Sequence, residues 1–470
     1  MSKNLYLTTA IPYVNGAPHV GHALDYLLAD VYFRYQTEKG NKVRFQVGTD
    51  EHGNKIFEKA KSLGIPVEEY VSENAEKFRN FIKKLGATPT DFIRTTDPDH
   101  ERRCQLIWKK LEDHIYPATY EGWYCTGCER FITDKEYEEN NGICPDHQKP
   151  YERLSEKNYY LRISDFKSQI KSAIENDELL ILPEFRKKEV LNLLEDSPDV
   201  SISRPKKNLS WGVPVPDDKD QVMYVWIDAL ANYITILGFP EKDISDFWPA
   251  NVQVVGKDIL RFHAIIWPAM LLALKLPLPK VLLSHGHIHV DGQKMSKSLG
   301  NVVDPIDVLE KYGLDPFRYF FLRHIDTFAD SDFTWEKFDA AYSGELANDL
   351  GNLVSRLATL CNKNSLGGLK FNFSSDETYE AYMDKFEFSK AFDYVWGKIQ
   401  DLNREINERQ PWVVAKTDPE EAKKILVDLV EKLMSAVNLL KPFLPGTVEK
   451  ISAVFEAEKI TPTAPLFPKS

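Results

Sequence analysis

Apolar and polar positions follow two rhythms along the first quarter of the chain. Residues 5–9, 42–47 and 92–95 are short apolar-rich runs of strand length. Between them, 22–39 carries Leu24, Leu27, Leu28, Val31, Tyr32 and Tyr35 at helical spacing, and 51–63 and 67–85 also read as helices. Strands separated by helices predict a parallel sheet with crossover connections. The rhythm breaks over 116–220, where turns are frequent and prolines gather near 205–216. It resumes with a strand at 223–228, a helix to 237, a strand at 252–256, a helix around 260–274 and a strand at 281–285. One sheet interrupted by an insertion is the expectation. Beyond about 335, the segments 338–359, 388–410, 419–440 and 448–455 keep a 3.6-residue apolar repeat, which predicts a helical bundle with one long polar link near 362–376.

At 470 residues the chain is longer than one core usually needs, so two or three lobes are expected. An apolar share of 43% and a charged share of 28% fit a globular enzyme. The net charge of -12 argues against a protein that coats polyanions, though a local basic strip remains compatible with it. No secretory signal opens the sequence and no apolar run reaches membrane-spanning length; residues 265–276 come nearest and are interrupted by Pro268 and Lys275. A cytoplasmic protein is the expectation.

Five cysteines, three of them clustered, suit a metal site in a reducing compartment better than a disulfide framework. Cys125 and Cys128 form one two-residue-spaced pair, and Cys144 and His147 form another, with 15 residues between the pairs. Four such ligands in two tight corners suit tetrahedral Zn²⁺ with no open position, hence one structural zinc. Cys104 and Cys361 stand alone.

Two loops carry phosphate chemistry. Tyr13, Asn15, Gly16, Pro18, His19, Gly21 and His22 lie between the first strand and the first long helix. His19 and His22, three apart, share a face at a helix start, where dipole and imidazoles suit a triphosphate in its transition state. Gly21 leaves room for a flat base against the backbone. Far downstream, residues 294–298 read Lys-Met-Ser-Lys-Ser between glycines, so Lys294 and Lys297 can reach the phosphates as charge accumulates. Either loop alone also reads as a solvated polar turn; the pair decides. Together they resemble the signature of class I aminoacyl-tRNA synthetases.

The resemblance to the methionine-specific branch covers nearly the whole chain. It rests on residues 9–13, 48–53, 224–229, 256–259, 262–263, 267–270 and 407–412. It implies an α/β protein: a Rossmann-like parallel-sheet catalytic domain interrupted by a zinc-binding insertion and followed by an all-α bundle. The expected boundaries are 1–115 and 223–285 for the catalytic halves, 116–222 for the insertion, 286–340 for the lysine loop and stem-contact region, and 341–470 for anticodon binding. It implies that Ile11, Tyr13, Trp226, Ala229, Tyr233, Ile259, Phe262, His263 and Trp267 line a methionine pocket, and that Asp50 takes the ammonium. Aromatic walls suit a polarizable thioether, and a carboxylate suits an ammonium. Leu230 stands where many relatives carry Pro. Tyr13, Asn15, Gly21, His22, Gly256, Asp258, Lys297 and Ser298 would bind ATP, which brings Mg²⁺. His19, His22, Lys294 and Lys297 would stabilise the transition state.

Asn352, Arg356 and Trp412 would read the anticodon of tRNA(Met) by stacking and edge contacts. Read without the resemblance, the first two are a helix surface pair and Trp412 is bundle core. An insertion of about 100 residues holds no room for the large editing domain of the leucine, isoleucine and valine enzymes. Homocysteine would have to be rejected in the synthetic pocket, where one methylene is worth about 1–3 kcal/mol. The chain stops soon after the bundle, without the dimerising domain of some relatives, so a monomer is expected. The cysteine-specific enzyme, a non-catalytic RNA-binding paralogue and a tRNA-independent adenylyltransferase are the competing readings. They fit less well: residues 9–12 hold no cysteine, both histidines and both lysines are present, and the bundle and knuckle would be idle.

Overall fold

The computed structural model describes residues 2–125, 130–145, 148–290, 292–294, 303–462 and 464–468. The first stretch comprises β1 (Asn4–Thr9), α1 (Val20–Glu38), β2 (Lys42–Thr49), α2 (Asn54–Leu63), α3 (Val67–Lys84), β3 (Asp91–Arg94) and α4 (Pro98–Lys110). There follow β4 (Ile115–Cys125), β5 (Arg130–Ile132), α5 (Asp134–Glu139), β6 (Glu152–Leu161), α6 (Lys167–Glu175), β7 (Leu180–Leu182), α7 (Glu184–Asp196), β8 (Val200–Ser201), β9 (Ser203–Pro205) and β10 (Gln221–Met223). Next come α8 (Val225–Thr235), β11 (Val252–Gly256), α9 (Trp267–Ala273), β12 (Val281–His285), β13 (Ile288–Val290) and β14 (Gln293–Lys294). The remainder is α10 (Pro305–Tyr312), α11 (Leu314–Arg323), β15 (Ser331–Phe333), α12 (Trp335–Ala340), α13 (Asn352–Lys363), α14 (Glu377–Asp384), α15 (Phe388–Arg409), α16 (Pro411–Val414), α17 (Pro419–Leu439) and α18 (Pro445–Phe455).

Six strands form one sheet in the order β3-β2-β1-β11-β12-β7, and every neighbouring pair is parallel. Alternate residues feed two cores on its faces, as the period-2 pleat requires. Leu7, Val254 and Leu283 join α1 and the helical bundle on one side; Tyr6, Val255 and Leu282 join α8, α9 and α6 on the other. β1 sits between β2 and β11, so successive connections leave it in opposite directions. That opens a crevice at the carboxyl ends of β1 and β11, where doubly wound sheets bind ligands.

The segment 116–222 is less separate than its sequence suggests. β4, β5, β6 and β8 do form their own antiparallel sheet, with β4 and β6 paired from Ile115↔Leu161 to Tyr124↔Glu152. But β7, from within the segment, pairs with β12 as the outermost parallel strand, and Ile170, Ile174 and Val190 of α6 and α7 lie in the sheet's core. Its three residues are too short a run to stand out from an apolar patch in a loop. The expected strand at 223–228 is also corrected. Pairing ends at Met223, Ile227 N donates to Tyr224 O at 2.8 Å, and α8 starts at Val225 with Asp228 in its first turn. The run is apolar on nearly all sides, so periodicity alone does not separate strand from buried helix. Trp226 and Tyr233 therefore lie two turns apart on one helix face rather than across a junction.

The bundle joins the sheet through a buried ion pair. Arg318 of α11 meets Asp30 of α1 at 2.8 Å with both side chains fully buried, and the guanidinium also donates to the carbonyls of Leu85, Pro442 and Phe443. Those bonds offset the cost of removing the charge from water. The expected helix at 338–359 is part of a longer run, α12 to α13, that passes through a π-helical stretch at Ala341–Gly351. Among the described residues no helix is long and apolar enough to cross a membrane.

Candidate active site

A pocket of about 850 Å³ occupies the crevice at the carboxyl ends of the central strands. The segment after β1 (Ala10 to Pro18), the ends of β2 (Asp50), β11 (Gly256) and β12 (His285), and one face of α8 supply its walls. Of the residues singled out in the sequence, Ile11, Tyr13, Asn15, His19, Gly21, His22, Asp50, Trp226, Ala229, Tyr233, Gly256, Asp258, Ile259 and His263 line it, as does Leu230.

The two histidines of the first loop are arranged by helix capping. His19 is the N-cap of α1 in an extended conformation; its Nδ1 accepts from Gly21 N at 3.1 Å, and His22 Nδ1 accepts from His19 N at 3.2 Å. The two rings stack with centroids 3.8 Å apart. An Nδ1 that accepts a backbone N–H places a neutral ring's proton on Nε2. Burial, and then His19, hold His22 well below its ordinary value, so it is a neutral donor at pH 7. Gly21 is required for a reason the sequence did not disclose: a Cβ there would lie 2.9 Å from the His19 ring.

The opposite end of the pocket combines a carboxylate with aromatic walls. Asp50 prolongs β2 through a bridge to Tyr13, and its N donates to Pro12 O at 2.9 Å. Its side chain is buried, and Oδ1 has no hydrogen-bond partner. Burial, reinforced by Asp228, lifts its pKa well above the usual carboxylate range. An orphaned buried acceptor of this kind is costly unless a cation completes it. Tyr233 donates its hydroxyl to His263 Nε2 at 2.8 Å, and His263 Nδ1 donates to Ile259 O at 3.0 Å, which fixes the neutral tautomer. Burial pulls His263 down to about 4, in keeping with that form.

Trp226 is stacked on Phe262 with centroids 3.8 Å apart and planes 7° from parallel. Phe262 and Trp267 do not line the pocket. Phe262 backs Trp226, and the fully buried Trp267 sits behind Tyr233, bonded to Gln253 at 3.2 Å.

On the nucleoside side, a Cβ on Gly256 would approach Asp258 Oδ1 to 2.9 Å, so bare backbone is needed beside that carboxylate. His287 Nε2 lies 3.5 Å from Asp258. Sequence reasoning passed over three groups, His285 and Asp25 here and His52 behind Asp50. His285 donates from Nδ1 to Gly286 O at 2.8 Å and from Nε2 to Asp25 at 2.8 Å, so both nitrogens carry protons and the ring is an imidazolium. Burial opposes that charge, but Asp25 outweighs it and raises the ring's pKa. Asp25 follows His22 by one helical step on α1, and His285 ends a parallel strand; both positions were readable by those rules. The third group, His52, is bonded to Asp228, and its partner lies on a distant helix that no local spacing reveals.

Lys294 lies in β14, paired with His289 of β13, directly after the pocket-lining His287 and Ile288. Lys297 and Ser298 lie outside the described residues, as do Cys128 and His147. Cys125, at the end of β4, and Cys144 are both buried in one small cluster with Ile132 and Tyr151. Among the described residues no three His, Cys, Asp or Glu side chains converge on a metal position. In the bundle, Arg356 lies over the Trp412 ring at 5.5 Å and donates to Asn407 at 2.8 Å, while Asn352 contacts Asn348 at 3.4 Å. Trp412 is 37% exposed, so it is not core, and with Arg356, Ser355, Thr359 and Leu360 it forms a shallow surface pocket.

Residues 5–358 match the family described as tRNA synthetases class I (M). The methionine–tRNA ligase of Caldanaerobacter subterraneus is 40% identical over 96% of this chain and 74% of its own length. That of Bacillus subtilis is 40% identical over 96% and 72%. The structure of Mycobacterium tuberculosis methionyl-tRNA synthetase in complex with methionyl-adenylate superposes with a TM-score of 0.90 at 33% identity, covering 100% of this chain and 99% of that one. By sequence and by fold, this chain belongs to the class I aminoacyl-tRNA synthetases, in the branch of the methionine–tRNA ligases.

Proposed function

We propose that the chain activates L-methionine with ATP and then esterifies the 3′ end of tRNA(Met), supplying methionine to translation initiation and elongation. In the first step a methionine carboxylate oxygen bonds the α-phosphorus as the bond to the bridging oxygen breaks, releasing pyrophosphate. In the second, a hydroxyl of the terminal ribose attacks the carbonyl carbon and AMP leaves.

The buried, unpartnered Oδ1 of Asp50, beside the Trp226–Tyr233 face, carries the amino-acid assignment. It fits an ammonium, and the aromatic face fits the thioether. His19 and His22, as Nε2–H donors, face the phosphates together with Lys294 and Lys297, which add charge where the transition state is most negative. Asn15, Gly21, Gly256, Asp258 and Ser298 hold the nucleotide, and Mg²⁺ accompanies its phosphates. Zinc, held by Cys125, Cys128, Cys144 and His147, would brace the insertion. The two buried thiols gathered in one cluster support this, and one zinc per chain by metal analysis is the expected result. The divisions at 115, 222, 285 and 340 then correspond to catalytic halves, insertion, lysine-loop region and anticodon-binding bundle. Asn352, Arg356 and Trp412 would meet the anticodon. A monomer working in the cytoplasm completes the reading, with sedimentation and cell fractionation as its checks.

The direct test is ATP–pyrophosphate exchange with each of the twenty amino acids, without tRNA. Exchange with methionine alone is expected. Exchange with another amino acid would sink the pocket assignment, and absence of exchange from folded, zinc-loaded protein would sink the activity.

A further inference from the structure

Behind the pocket lies a set of buried charges that the two reaction steps do not use. His52 Nδ1 meets Asp228 Oδ2 at 2.5 Å, and both side chains are almost fully buried. Its Nε2 points to Glu101 of α4 at 3.4 Å. Asp228 is fully committed: Oδ2 is engaged by His52, and Oδ1 accepts from Ala229 N at 2.9 Å. Asp50, two residues before His52, keeps its Oδ1 unpartnered. Two carboxylates from the ends of β2 and α8 thus share one dry region, and only one of them has room for a ligand.

Among the described residues packed against His52, the others do not supply a second cation to it. Glu51 is neutralised by Arg94 at 2.8 Å. His100, on α4, bonds Thr235 and is driven down to about 3 by burial and by His52 itself. Trp211 packs its ring 5.5 Å from His52 and carries no charge.

We infer that the His52–Asp228 pair is a positioning device for the ammonium subsite: His52 cancels the charge of Asp228, so that the carboxylate of Asp50 is kept for the amino group of the substrate. This rests on the amino-acid pocket proposed above. Without the imidazolium, Asp50 and Asp228 would compete for one proton in a low-dielectric region, and a protonated Asp50 is a poor partner for an ammonium. Burial opposes a charge on His52, but Asp228 outweighs it and raises the ring to about 10, so the cation persists at neutral pH.

The experiment compares wild type, H52Q and H52Q/D228N, each folded and zinc-loaded, by ATP–pyrophosphate exchange and by equilibrium binding of three probes. The probes are methionine, methioninol, which keeps the amine, and 4-(methylthio)butanoate, which lacks it. At pH 7, H52Q is expected to raise KM for methionine about tenfold while kcat changes by less than about threefold. The defect narrows as pH rises and Asp50 ionises. Methioninol weakens in parallel with methionine, whereas 4-(methylthio)butanoate does not, and D228N on top of H52Q restores most of the loss. Equal weakening of the amine-free probe would assign His52 a merely structural part and overturn the inference, as would an unchanged KM or no recovery in the double variant. If H52Q does not fold, H52Q/D228N decides alone: a methionine KM within about threefold of wild type supports the inference, and a loss of about tenfold or more overturns it. Exchange by the wild type reports on the function itself, and the variant-to-wild-type ratios report on His52.

Discussion

Histidines in the pocket and behind it work in opposite charge states. His19 and His22 are set by helix capping within four residues, each Nδ1 taking a backbone N–H, so the rings present as neutral donors. His52 is set by Asp228, 176 residues away, and by Glu101, and carries a charge. Local hydrogen bonding produces a donor for phosphates; long-range ion pairing produces a fixed charge that shapes its neighbour. The same side chain serves both because its pKa lies close to neutrality and its surroundings decide.

The largest effect expected from breaking this arrangement is at Asp50. Asp50→Asn removes the ammonium's partner, and kcat/KM for methionine should fall about 10²–10³-fold, as when one member of a buried charge pair is lost. The sign of the pH dependence follows from the raised Asp50 value: binding needs the ionised form, so kcat/KM for methionine in the wild type declines as pH falls through a value above the usual carboxylate range. In the Asn variant that limb disappears. Next comes His19→Asn. Asparagine is a good N-cap, so folding stability should change by less than about 1 kcal/mol. The Nε2 donor is lost, however, and kcat should fall about 10²-fold. A variant with undiminished kcat would make His19 a cap and nothing more.

Gly21→Ala tests the same loop through its backbone. The added methyl presses on the His19 ring at 2.9 Å, and kcat should drop about tenfold, some 1.4 kcal/mol of barrier. The smallest effect belongs to the far end of the molecule, where Trp412→Ala should raise the KM for tRNA about fivefold in aminoacylation, the low end of the value of one stacked base.

What the sequence disclosed divides along the same line. The capped histidine pair, the parallel sheet and the helical tail follow from spacings within one turn or one strand. Asp50 was readable as a carboxylate at a strand end. The Asp50–His52–Asp228–Glu101 set was not, because β2, α4 and α8 meet only in the folded sheet. β7 escaped for a related reason: three residues become a strand through β12, not through their own pattern. Phe262 and Trp267 were expected to line the methionine pocket, but which aromatic rings face the cavity and which stand behind them depends on packing depth, and composition carries none of that information.

The π-helical stretch at Ala341–Gly351 has a consequence for angular phase. An α-helix turns about 100° per residue, and each i→i+5 turn holds back roughly one residue of rotation relative to it. The azimuth at which α13 presents Asn352 and Arg356 is therefore set upstream, in a stretch that supplies no wall of the Trp412 surface pocket. Deleting one residue there would swing Arg356 about 100° around the helix axis, away from the tryptophan, without altering a single residue of that surface pocket.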